Sequence, residues 1–133
     1  GKVNFYLSHL SKGKFFIEFD EELREKVMHN GQEISYISLS GGEKRKIGIA
    51  VMLGLQQLLT ISHNDNSNLM FFDEVAENLD QDGLDGLYIL LSELKKDKSL
   101  FVITHNNYLK SLMDNVRTLT IIKNKGISRI TRK

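Results

Sequence analysis

Apolar positions in this chain follow three different periods, and each period marks a zone. In the first, Val3–Leu7 and Lys14–Phe19 are rich in aromatic and β-branched residues and predict strands, with Ser11-Lys12-Gly13 as a turn between them. Asp20 to Lys26 is acidic and polar, a loop or a short helical turn. Asn30-Gly31 is a two-residue hairpin signal that predicts pairing of Arg24–His29 with Gln32–Tyr36. The front quarter is therefore expected to be an antiparallel meander. In the second zone, Glu43 to about Ser62 predicts one long helix. Ile47, Ile49, Ala50, Val51, Met52, Leu53, Leu55, Leu58 and Leu59 spread over most of its faces, so it is expected to be largely buried. His63 to Asn68 is a loop by composition.

In the third zone, Leu69-Met70-Phe71-Phe72 is a short continuous apolar run, the mark of a buried parallel strand. Leu84, Leu87, Leu90, Leu91 and Leu94 recur at helical spacing before Lys95-Lys96-Asp97-Lys98. Leu100–Ile103 repeats the buried-strand run, and Tyr108–Met113 predicts a short helix. Leu119–Ile122 and Ile127–Ile130 flank Lys123-Asn124-Lys125-Gly126 as a terminal hairpin. Strand, helix, strand with polar residues at the strand ends predicts an α/β fold. Ligands in such sheets sit at the carboxyl ends of strands, where Asp73, Glu74 and His105 fall.

Composition narrows the class. A chain of 133 residues fits a single domain, 1–133, with a real core. It is 41% hydrophobic and 26% charged, with a net charge of +1 and a pI near 8.1, which argues against bulk binding of nucleic acid. There is no cysteine, so no disulfide framework and no thiolate metal site. The apolar run from Ile47 to Leu59 is broken by Gly54, Gln56 and Gln57 and is too short and mixed to span a membrane. A cytoplasmic protein without a membrane partner is the expectation.

Candidate chemistry centres on four places. Ser40-Gly41-Gly42 precedes the long helix, whose first N–H groups are unpaired and favour an anion; a turn and helix start without a ligand is the plain alternative. Asp73 at a strand end is suited to Mg2+ through water, and Glu74 beside it to orienting a water for attack on a phosphoryl group. Two acidic residues at a helix start would look the same. His105 follows a buried strand and is either a hydrogen-bond donor to a terminal phosphate or a satisfied loop histidine. Asp80 follows Asn78-Leu79 just before the next helix, where a simple N-cap is the plain reading.

The order and spacing of these places resemble one family. Leu39-Ser40-Gly41-Gly42-Glu43 resembles the signature motif of ABC-type ATPases, Leu69 to Glu74 their Walker B strand, Glu77-Asn78-Leu79-Asp80 their D-loop and Thr104-His105 their switch histidine. Glutamate at 43 and Val75 after Walker B are similar to the SMC and SbcC class of DNA-associated ATPases. The retained histidine leans to the SbcC branch. The fold class is accordingly α/β, the C-terminal lobe of an ABC-type ATPase head: an N-terminal antiparallel meander, a signature helix, parallel strands with flanking helices and a terminal β-hairpin. A P-loop needs G-x-x-x-x-G-K-[ST], and the only approach, Ser8 to Phe15, lacks the first glycine and the hydroxyl. The chain thus resembles the C-terminal half of a split head, with the P-loop half missing.

The resemblance implies ATP and Mg2+ as ligands and two heads closing on two nucleotides. Leu39, Ser40, Gly41, Gly42 and Glu43 would meet ATP in trans, Asp73 would support Mg2+, Glu74 and His105 would be catalytic, and Asp80 would couple the two sites. Implied partners are the chain's own N-terminal P-loop half, a second head, an SbcD-type nuclease subunit and DNA, in a nucleoid setting. An SMC-like tether without a nuclease is the alternative; a decayed regulatory module is disfavoured by the intact carboxylates, serine and histidine. Lys44, Arg45 and Lys46 are expected to form a solvated helix face, with a relay of switching ion pairs as the alternative. The basic end (Arg117, Lys123, Lys125, Arg129, Arg132, Lys133) is expected to be a solvated hairpin rather than a DNA contact.

Overall fold

The computed structural model describes residues 1–22, 24–63, 68–114 and 116–132, and the side chains of these except at 61–63 and 132. Asn64–Ser67 of the expected loop and Lys133 of the basic end lie outside the described residues. The order is α1 (Lys2–Ser11), β1 (Phe15–Phe19), β2 (Glu25–His29), β3 (Gln32–Ile34), α2 (Gly41–His63), β4 (Leu69–Asp73), α3 (Gln81–Leu94), β5 (Ser99–Ile103), α4 (Asn107–Leu112), β6 (Leu119–Asn124) and β7 (Ile127–Arg132). A 3-10 turn at Tyr36–Ser38 leads into α2.

The first element corrects the expectation: Val3–Leu7 lies in a helix. Its aromatic and β-branched residues suit a strand locally, but Tyr6, Leu7 and Leu10 are buried together, with Val3 packed partly against them, at spacings of a helix face. Tertiary packing decides the matter. α1 lies against both α2 and α3. Two glycines let it approach: a Cβ on Gly54 would lie 2.4 Å from Val3 Cγ2, and one on Gly86 would lie 2.2 Å from the His9 carbonyl oxygen. Lys12, left-handed at φ 52, ends the helix.

The meander is present as β1-β2-β3, antiparallel, with Phe16 opposite Met28 and Met28 opposite Glu33. Asn30 (φ 50) and Gly31 (φ 81) form the turn with both central residues left-handed, the conformation whose twist matches the strands. β4 and β5 pair in parallel with Phe71 opposite Phe101 and Asp73 opposite Ile103. β6 and β7 form the terminal hairpin, longer than expected at both ends, with Ile121 opposite Ile130. One core runs through α1, β1, α2, β4, α3 and α4; Leu7, Leu10, Leu87, Leu90 and Leu109 are its fully buried large side chains.

The long helix is a second correction. Ile47, Ile49, Ala50 and Leu53 are buried, but Met52, Leu55, Leu58 and Leu59 are exposed. The parallel pair shows the same asymmetry. Met70 and Phe72 face the core, whereas Leu69, Phe71, Phe101 and Ile103 are exposed, with Phe71 and Phe101 stacked at 5.0 Å. Parallel strands are normally covered on both faces; among the described residues only one face is covered.

Candidate functional site

The glycine stretch starts α2 through a reciprocal cap. The Ser40 N–H donates to Glu43 Oε2 at 2.8 Å, and the Glu43 N–H donates to Ser40 Oγ at 3.3 Å. This is the Ser-x-x-Glu capping box. The Ser40 main-chain N–H first, then its hydroxyl, hold the Glu43 carboxyl below the usual range. The donors open to an outside anion are therefore the Gly41 and Gly42 N–H groups, with the Ser40 hydroxyl shared with Glu43. Leu39 is buried and anchors the loop from below. A Cβ on Gly41 would meet nothing within 4 Å, so no packing among the described residues accounts for the glycine. A Cβ on Gly42 would stand 3.1 Å from the Asn78 carbonyl oxygen.

At its carboxyl end, β4 delivers two carboxylates. Asp73 is its last residue and is exposed. Glu74 extends the ladder by one bond, its N–H donating to the Ile103 carbonyl at 2.9 Å, and then turns left-handed at φ 47. That is an uncommon backbone for a residue with a Cβ. Its carboxylate lies 3.0 Å from His105 Nδ1, so the parallel pairing of β4 and β5 sets a carboxylate and an imidazole side by side at the carboxyl end of the sheet. The histidine side chain is 81% exposed and the glutamate 35%, which leaves the pair open to a ligand.

Asp80 is the N-cap of α3, its Oδ1 accepting from the Gly83 N–H at 2.9 Å. The simple-cap reading is thus present in the structure, but it is not all Asp80 does. The same oxygen meets Lys46 Nζ at 2.7 Å. The Lys46 ammonium, ahead of the Gly83 N–H, holds the Asp80 carboxyl below its ordinary range against the cost of desolvation.

No family model matches the chain. It is 37% identical over 103 residues to the probable exonuclease subunit 2 of Escherichia phage T5, covering 75% of this chain and 17% of that protein. The SMC head domain from Thermotoga maritima superposes with a TM-score of 0.71 at 26% identity, over 99% of this chain and 46% of that one. A chain solved for the structural biochemistry of ATP-driven dimerization and DNA stimulated activation of SMC ATPases superposes with a TM-score of 0.81 at 18% identity, over 99% and 81%. The chain is the C-terminal half of an SMC/SbcC-type ATPase head. It spans about a sixth of the length of the phage relative.

Within this half-head the structure brings Glu74 to His105 and Asp80 to α2. No hydrogen bond or ion pair joins Ser40 to Asp73, Glu74 or His105 among the described residues. The expectation that Lys44, Arg45 and Lys46 are solvated is overturned. Lys46 is 6% exposed and paired with Asp80. Arg45 Nη2 donates to the Glu74 carbonyl at 3.0 Å, and its Nε is buried without a partner among the described residues. Lys44 Nζ donates to the Ile37 carbonyl at 3.2 Å and lies over the Tyr36 ring. A signal for Arg45 and Lys46 was present in the periodicity: residues 42, 45, 46, 49, 50 and 53 lie on one side of a helix, and Ile49, Ala50 and Leu53 are core. A basic triplet simply reads as surface when taken alone.

Fit to the implied ligands follows from the donors. No group of three or more His, Asp and Glu side chains that could hold a metal is present among the described residues. Asp73 alone fits Mg2+ only as one carboxylate acting through water, with other oxygens supplied from outside the chain. The helix start with a bare Gly41 fits a phosphate oxygen. Among the described residues no helix is long and apolar enough to cross a membrane.

Proposed function

We propose that this half-head completes an ATP-hydrolysing head in a cytoplasmic, DNA-associated nuclease complex of the SbcC and SbcD kind. The observation that carries this reading is the Glu74–His105 pair, 3.0 Å apart at the carboxyl end of two parallel strands. Glu74 accepts a proton as water attacks the γ-phosphorus, the bond to the bridging oxygen breaks, and ADP leaves with the charge. His105 Nδ1 orients the Glu74 carboxylate, which leaves Nε2 on the ring's other side to meet the γ-phosphate. Asp73 would hold Mg2+ through water, and the ion would supply charge neutralisation at the phosphates.

The Ser40 end serves a different nucleotide. Ser40, Gly41 and Gly42 meet the γ-phosphate of ATP held on the P-loop of a second head. ATP then forms part of the interface and favours the engaged dimer by its differential affinity. Hydrolysis releases the dimer and changes DNA access to the nuclease. The exposed apolar face of β4 and β5 is the surface on which the P-loop half packs, since a parallel pair needs cover on both sides. An SMC-like tether with a kleisin-type partner is the second reading, supported by the likeness to the Thermotoga maritima SMC head. Capture of a metallophosphoesterase subunit supports the nuclease, and capture of a kleisin supports the tether.

The test is Glu74→Gln in the full-length protein. Turnover is expected to vanish while ATP-dependent dimers accumulate. Hydrolysis near the parental rate would remove Glu74 from the role of base.

A further inference from the structure

The segment from Glu74 to Asp80 is held to α2 at three points, and all three come from one face of the helix. Gly42, Arg45 and Lys46 sit at i, i+3 and i+4. Gly42 admits the Asn78 carbonyl, which would be 3.1 Å from a Cβ there; Arg45 Nη2 donates to the Glu74 carbonyl at 3.0 Å; and Lys46 Nζ meets Asp80 Oδ1 at 2.7 Å. Two of the three anchored residues, Glu74 (φ 47) and Asn78 (φ 61), are left-handed without being glycine. Their carbonyls are the groups that turn toward α2. The Glu74 carbonyl also accepts the Glu77 N–H at 3.1 Å, so both its lone pairs are used, one by the local turn and one by Arg45.

This arrangement fixes the backbone from which the Glu74 side chain springs. A left-handed glutamate is unfavourable locally and persists where its surroundings over-determine it. The local turn supplies one constraint, and Val75 and Ala76, both buried, supply another. Arg45 supplies the constraint that comes from a distant element, a bond spanning 29 residues of sequence. Only its direction matters here: the same helix that presents Ser40 at its start holds Glu74 less than two turns later.

We propose that Arg45 is a positioning residue for Glu74, aiming its carboxylate through the main-chain carbonyl and linking the phosphate bound at the start of α2 to hydrolysis at Glu74. The proposal rests on the reading of Glu74 as the base and of Ser40 as a contact in trans. In that assembly, Ser40 and Glu74 of one chain serve two different nucleotides. Arg45 then bridges the two sites within one protomer, through five residues of α2 and one hydrogen bond. A shift of the α2 start on meeting phosphate moves the Glu74 carbonyl, and with it the carboxylate relative to His105.

The test uses the full-length protein assembled as its ATPase, with Arg45→Met, Arg45→Gln and Arg45→Lys. Met keeps the packing length and removes the donor; Gln stays polar and too short to reach; Lys keeps a charged donor. The expected result is a fall in kcat of about tenfold or more in Met and Gln with KM changed by less than about twofold, because a transition-state position is lost and not nucleotide binding. Lys restores most of kcat, and hydrogen exchange at 74–80 is faster in Met and Gln while that of 49–60 is unchanged. Parental kcat in whichever of Met or Gln folds overturns the proposal, as does a rise in KM with kcat intact. Glu74→Gln is run alongside. If it turns over at the parental rate, the reading of the base has failed; if it is dead while Arg45→Met is normal, only the role of Arg45 has failed.

Discussion

Removing the carboxylate of Asp80 is expected to cost much more than removing the ammonium it meets. Asp80→Ala takes the N-cap from α3, where Oδ1 accepts from the Gly83 N–H at 2.9 Å, a loss of about 1 kcal/mol. It also leaves the Lys46 ammonium, whose side chain is 8% exposed, without its 2.7 Å partner. An unsatisfied buried donor costs about 1–3 kcal/mol, and more where it is charged and fully desolvated. The Asp80 side chain is 63% exposed, so water reaches that end of the pair and the cost stays below that of a fully buried one. The sum is about 2–4 kcal/mol. Lys46→Met removes the charge, keeps the stem that fills the space beside Gly83, and leaves a hydrated Asp80 still capping α3; it should cost within about 1 kcal/mol. The double variant loses only the cap, so the two changes are strongly non-additive. Native-state hydrogen exchange at the α2 and α3 amides of the full-length protein reads these differences as opening free energies. Equal costs for the two single changes, or a double variant equal to their sum, would refute the reasoning. The pH arm follows in sign. The folded Asp80 pKa is depressed, so the contribution of the pair is complete above the ordinary carboxyl value near 4 and is lost as the pH falls from there through the folded value. Lys46→Met should make that acid limb shallower.

Three further outcomes can be checked. Glu43→Gln keeps the capping box but removes a negative charge that competes for the Ser40 hydroxyl, so ATP-driven dimers measured by sedimentation should tighten by about two- to fivefold, less so at high salt. Gly41→Ala should leave melting unchanged, because a Cβ there meets nothing within 4 Å, while weakening those dimers. Gly86→Ala should lower stability by about 2 kcal/mol or more and speed exchange in α1, because its Cβ would run into the His9 carbonyl and backbone there cannot move aside cheaply.

Much of the site was legible because its residues are consecutive. Ser40 to Glu43 announces a capped helix start, Leu69 to Glu74 a strand ending in carboxylates, and Asn30-Gly31 a hairpin, all from chemistry within a few positions. Asp80 was legible as a cap for the same reason, since its Gly83 partner is three residues away. The fate of Val3–Leu7 was not. Its residues favour a strand, and what overrides them is a surface made by Gly54 and Gly86, 51 and 83 positions from Val3.

The amino-acid sequence by itself determined the alternation of strands and helices from Leu69 onward and the order of the motifs, because periodicity and end signals act locally. Only the tertiary structure decided what the charges on α2 do. Lys44, Arg45 and Lys46 look alike in the sequence, yet one lies over a tyrosine ring, one holds the Glu74 carbonyl and one is buried on Asp80. The partners of Arg45 and Lys46 lie 29 and 34 positions along the chain, whereas those of Lys44 are local, and which cation meets which oxygen depends on how α2 is rotated against the end of β4. That rotation is set by the buried stripe of Ile49, Ala50 and Leu53, which faces the core and so fixes where the helix turns each base.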